Sequence, residues 1–140
     1  MDRRELFCSL GAAAIAASAL PAVAQHEHHN LGAKYQSLID AASACSSAAE
    51  LCVSHCVTML AEGDKSLQAC AATSREMAVV CSALRSLAAQ NAPHLTAFAK
   101  VSADMCKSCE AECLKHPQHP VCKACADDCA VCAAECAKAA

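Results

Sequence analysis

Aromatic side chains are nearly missing from this 140-residue chain: there is no Trp, and the rings are Phe7, Tyr35 and Phe98. A core organised around large stacked rings is therefore excluded. Glycine occurs three times and proline four times, so backbone breaks are few. The formal net charge is −3, with no basic cluster or stripe, which argues against nucleic-acid binding. Past residue 24, no stretch reads as long and apolar enough to span a bilayer. What the chain has instead is alanine, which favours helix throughout, and 14 cysteines, a share that marks a disulfide scaffold or a metal protein.

The first 24 residues read as a cleaved export signal. Arg3-Arg4 precedes a soft apolar run from Leu10 to Leu20, and Ala22-Val23-Ala24 offers a small-residue cleavage site. Paired arginines before a weakly hydrophobic run resemble a twin-arginine signal. Asp2 and Glu5 dilute the basic region, so a general secretory signal stays open. Cys8 would leave with this leader. The expected product is residues 25–140 with thirteen cysteines, exported to the periplasm. Residues 25–32, with His26, His28 and His29, read as a flexible His-rich tail, and residues 33–140 as one folded domain.

Periodicity divides that domain into four helices. The first is expected over about 33–61, ended by Glu62-Gly63-Asp64, with Gly63 suited to a helix C-terminus. Asp64 can cap the second, which runs to about Gln90 with an inner stripe of Leu67, Cys70, Ser74, Met77, Cys81, Leu84 and Ala88. Asn91-Ala92-Pro93 is a turn. The third spans about 94–115, with Leu95, Phe98, Ser102, Cys106, Cys109 and Cys113 inward. His116-Pro117-Gln118-His119-Pro120 ends it and starts the fourth. Four helices joined by short loops imply an all-α, antiparallel up-down-up-down bundle.

The cysteines follow the helical period. Cys122, Cys125, Cys129, Cys132 and Cys136 step by three, four, three and four, and at about 100° per residue they fall within an arc of roughly 80°. Cys106, Cys109 and Cys113 repeat the pattern; Cys45, Cys52 and Cys56 step by seven and four; Cys70 and Cys81 are eleven apart. All thirteen would line the bundle core. The topology gathers Cys52, Cys56, Cys70, Cys109, Cys113, Cys122 and Cys125 toward one end. It sets Cys81, Cys106 and Cys129 near the middle and Cys45, Cys132 and Cys136 lower. Leu38, Leu84, Leu95 and Phe98 close the far end.

Such a core admits several explanations. A full disulfide network conflicts with helix axes about 8–10 Å apart, because a bridge needs Cα atoms within about 7 Å, and thirteen is odd. Cysteine as a small hydrophobe accounts for one or two thiols. Zinc or iron–sulfur sites use four thiolates each; three Cys₄ zinc sites would bury about six uncompensated negative charges. Copper(I) is soft, is selected by thiolate and accepts two or three sulfurs. One monovalent ion per thiolate gives a neutral core at any number. A thiol oxidoreductase using Cys106/Cys109, or a disulfide-stapled helical protein, remains the alternative from another class.

This arrangement resembles the four-helix-bundle copper storage proteins, a Cys-rich family holding many Cu(I) ions inside a bundle. The ladder from Cys106 to Cys136, the spacing of Cys45, Cys52 and Cys56, the segment His55-Cys56-Val57-Thr58-Met59 and the leader carry the likeness. The resemblance implies a binding protein rather than an enzyme. It also implies Cu(I) storage for a periplasmic or membrane copper enzyme such as methane monooxygenase, and a homotetramer of bundles. It makes His55 and Met59 copper ligands at the thiol-rich mouth. Related exported members carry a further Met near position 67, where this chain has Leu67. Met77 and Met105 read as core filler, and His116 and His119 as solvated loop residues.

Overall fold

The computed structural model describes residues 33–140. The leader, Cys8 and the His26/His28/His29 tail lie outside the described residues. A 3₁₀ turn at Ala33–Tyr35 leads into α1, Gln36–Ala61. A second 3₁₀ turn, Lys65–Leu67, leads into α2, Gln68–Ala89. Then come α3, Leu95–Cys113, and α4, Pro120–Ala139. Among the described residues there is no strand.

The breaks are local chemistry. Gly63 sits at φ +101°. Asp64 N–H donates to Met59 O at 3.0 Å and Gly63 N–H to Leu60 O at 3.1 Å, the paired bonds of a Schellman end. The Asp64 carboxylate then accepts from Ser66 N–H at 3.1 Å and starts the next turn. At the other end Asn91, at φ +48°, does for α2 what Gly63 does for α1. Ala92 N–H reaches Leu87 O at 3.0 Å and Asn91 N–H reaches Ala88 O at 3.1 Å. Asn is the non-glycine residue that best tolerates this conformation. Pro120 opens α4 at a position whose N–H would have no helical partner anyway.

Each helix packs on its two neighbours around the ring: α1 on α2 and α4, α3 on α2 and α4. The expected four-helix bundle is what forms. The inner stripes of α1 and α2 are buried as expected. In α3, Phe98 is only half-buried, and Ala99 takes the fully buried position beside Leu95. An alanine fits between close helices where a ring does not. Thr96 Oγ1 donates to Ala139 O at 2.9 Å and ties the start of α3 to the end of α4.

One expectation is corrected. By length and composition α1 could cross a membrane: its most apolar stretch has mean hydropathy 1.3. Alanine and cysteine raise that value, and three of those cysteines face the bundle interior.

Candidate metal centre

All thirteen described cysteines are free thiols with no solvent exposure. Helical spacing puts them on inner faces, and the bundle stacks them in tiers. At the mouth, Cys52 and Cys56 of α1, Cys70 of α2 and Cys122 of α4 hold their sulfurs within 4.8 Å of one another. Cys52 Sγ lies 3.6 Å from Cys70 Sγ and 3.9 Å from both Cys56 Sγ and Cys122 Sγ. In the middle tier Cys113 and Cys125 join Cys52, and Cys109, Cys125 and Cys129 form a further group. Cys70 Sγ to Cys113 Sγ, at 3.5 Å, links mouth and middle. The far tier is Cys45, Cys81, Cys106 and Cys132, one from each helix. Cys45 Sγ to Cys129 Sγ, at 3.6 Å, joins it to the middle.

The sequence reading placed Cys45 and Cys132 below Cys81 and Cys106. The structure brings all four into one tier, and Cys129 is the link above it. Counting turns from the loops misses this because the helices differ in length and stagger.

Sulfurs sharing an ion at about 2.3 Å each end roughly 4–4.5 Å apart in a wide two-coordinate site and closer in a tetrahedral one. The tiers already stand at that separation, so binding requires loss of protons rather than a refold. Burial sets the acidity of the mouth: it pushes Cys56 well above its ordinary value, with the neighbouring Cys52 adding to the effect. Cys122 rises for the same reason, burial first and then Cys52 and Cys70. Against that trend, each tier holds at least one thiol whose anion its neighbours would solvate. Hydrogen bonds from Cys113, Cys125 and Cys70 hold Cys52 low. Those from Cys113, Cys125 and Cys129 hold Cys109 low. In the far tier hydrogen bonds from Cys106 and then Cys129 bring Cys45 down to about 5. Cys106 also pulls on Cys136, but Cys132 and burial outweigh it and push that thiol up to about 12.

Above the mouth tier the structure departs from the sequence reading. His116 and His119 are not solvated loop residues. His116 is 6% exposed, and its Nε2 has no hydrogen-bond partner, the Glu112 carboxylate standing 3.9 Å away. His119 Nδ1 is 2.9 Å from His55 Nε2, and its other nitrogen is 3.7 Å from Asp64 Oδ2. Two prolines and the bonds His116 N–H to Cys113 O and His119 N–H to His116 O fold this loop inward. The signal in the sequence was the repeated His-Pro pair, which fixes the loop's shape. Met59 is half-buried against the core edge; Met77 is 1% exposed within it, and Met105 is half-buried beside it.

Comparison with known proteins agrees with this geometry. The family model described as Csp, copper storage protein, matches residues 31–140. Apo-Csp3 (copper storage protein 3) from Bacillus subtilis is similar at 29% identity and TM-score 0.66, over 74% of this chain and 96% of that one. The Cu(I)-bound copper storage protein BsCsp3 is similar at 30% identity and TM-score 0.67, over the same 74% and 96%. No curated protein matches. With the match spanning every described residue, the chain belongs to the copper storage protein family, which is not a family of enzymes.

Proposed function

We propose that this chain stores Cu(I) as cargo, about one ion for each of its thirteen buried thiols. The observation that carries the reading is a continuous ladder of unexposed sulfurs, with neighbours 3.5–3.9 Å apart from mouth to far tier. Thiolate prefers this soft ion. A monovalent cargo neutralises a buried thiolate one for one, whereas unpaired buried charge is very costly.

His55 and His119 sit where an incoming ion arrives, and Met59 lies about one turn nearer the loop end of the same helix. Imidazole and thioether hold Cu(I) without a net negative charge, so they can pass it on to thiols. Each ion that moves into the ladder displaces thiol protons. Leu38, Leu84 and Leu95 leave the far end without ligands. Filling therefore runs from the mouth inward.

Arg3-Arg4 and the apolar run after it support export to the periplasm; the resemblance drawn from sequence supports supply of an exported or membrane copper enzyme and assembly as a homotetramer. Fractionation of the native host and sedimentation of the purified protein test location and assembly.

Two four-thiol groups, Cys52/Cys56/Cys70/Cys122 and Cys45/Cys81/Cys106/Cys132, favour one rival: two closed zinc sites. Anaerobic titration of the reduced protein with Cu(I), followed by thiolate-to-copper absorption, separates the readings. Storage requires a plateau near thirteen equivalents; a plateau at two to four overturns it.

A further inference from the structure

Among the described residues the buried polar side chains are Ser74, Ser102 and His116. Ser102 does what a helical serine ordinarily does: its hydroxyl donates to the carbonyl four residues back, Phe98 O, at 2.8 Å. Ser43, Ser47, Thr58, Ser86 and Ser108 do the same. Ser74, with no solvent exposure, breaks the pattern. Its hydroxyl approaches three sulfurs and no carbonyl: Cys109 Sγ at 3.8 Å, Cys113 Sγ at 3.8 Å and Cys125 Sγ at 3.9 Å.

We propose that Ser74 is a positioning residue for the middle tier, donating its hydroxyl proton to the cysteinates of Cys109, Cys113 and Cys125 once copper has replaced their protons. The proposal rests on the Cu(I) storage reading. Without metal, Cys113 and Cys125 are thiols, able to donate as well as accept, and Ser74 is one weak donor among several. Loading removes every S–H from the tier. The Ser74 O–H is then the side-chain donor placed to reach these three sulfurs. It cannot itself become a useful ligand, because a neutral hydroxyl is a hard donor and the ion is soft.

An ion held between two thiolates leaves a local charge of −1 until a neighbouring ion shares a sulfur. A hydroxyl that can turn toward any of three sulfurs stabilises whichever carries the least copper. Hydrogen bonds from outside the ligand shell orient ligands and tune metal sites. Ser74 also occupies the α2 position one turn beyond Cys70 and facing the thiols, so a polar residue there interrupts the sulfur column at its most crowded level.

The test compares Ser74→Ala and Ser74→Thr with the unaltered protein, all reduced and loaded with Cu(I). Ala removes the hydroxyl, and Thr restores it. A Ser74→Val variant, matched to Thr in shape, controls for bulk. The proposal expects equal total capacity in all four. In the Ala and Val variants the subset of ions held by the middle tier should pass to a competing Cu(I) chelator at about tenfold lower chelator concentration. The thiolate-to-copper absorption should shift with them, and Thr should restore both. Unchanged chelator competition and spectrum in the Ala variant, or a Thr variant that behaves as Val does, overturns it. If the unaltered protein takes up only two to four ions, the storage reading itself has failed. That outcome is distinct from full capacity with no hydroxyl effect.

Discussion

His55 Nε2 and His119 Nδ1 lie 2.9 Å apart, their ring centroids 4.9 Å apart and tilted by 60°. One ring comes from α1 and the other from the loop before α4. The hydrogen bond between them therefore fastens the His116–Pro120 loop over the mouth tier. On the storage reading proposed above, these nitrogens are also the two that would meet an arriving ion.

Removing one ring should slow entrance without shrinking the store. His119→Ala is expected to retain a plateau near thirteen equivalents, while the first equivalents bind about tenfold more slowly. Stopped-flow absorption of the thiolate-to-copper band measures both. A lowered plateau with unchanged rates would mean that His119 holds stored ions instead.

The copper-free protein should lose stability at alkaline pH. Burial raises Cys56 and Cys122 above the ordinary thiol value of 9.0. Above pH 9.0 the unfolded chain therefore releases those protons while the folded chain keeps them, so the unfolded state binds fewer and stability falls with rising pH. Their contribution is fully present below 9.0. Thermal unfolding in reductant between pH 7 and 10.5 should show a falling midpoint above about pH 9. The copper-loaded protein, whose thiols have no protons to lose, should not show this fall.

Cargo should stabilise the fold by mass action. An ion that binds only the folded chain contributes about 2.7 kcal/mol when free copper is one hundred times its dissociation constant. A few ions are thus enough to rival the whole stability of a small domain, about 5–15 kcal/mol. Calorimetry at increasing copper should give a midpoint that climbs with each equivalent. A midpoint indifferent to copper would mean that the unfolded chain binds the ions as well as the folded one does.

The apolar end should matter for folding and not for copper chemistry. Leu84 is fully buried there, and Leu84→Ala is expected to cost about 2–5 kcal/mol in the copper-free protein. At the opposite, mouth end, Gly63→Ala should cost about 1–2 kcal/mol from backbone strain alone, since φ is +101° and an added Cβ meets nothing within 4 Å. Urea unfolding checks both, with the copper plateau unchanged.

The inward faces were legible in sequence because helical geometry is local. A step of three or four residues places Cys106, Cys109 and Cys113 on one stripe whatever they pack against. Gly63, Asn91 and the two prolines then end the helices by backbone chemistry that needs no tertiary contact. Fold class and the buried thiols follow from those facts alone.

Tertiary structure decided what depends on the relative stagger of helices and on the path of a loop. Stagger brought Cys45 and Cys132 level with Cys81 and Cys106, and made Cys129 the link between tiers. The loop path took His116 and His119 out of solvent and set one of them against His55. It was also tertiary contact that turned the Ser74 hydroxyl from its own helix toward three sulfurs. A sequence period tells a residue which way to face, but the neighbour it meets is fixed by the other helices, whose registry no single helix encodes.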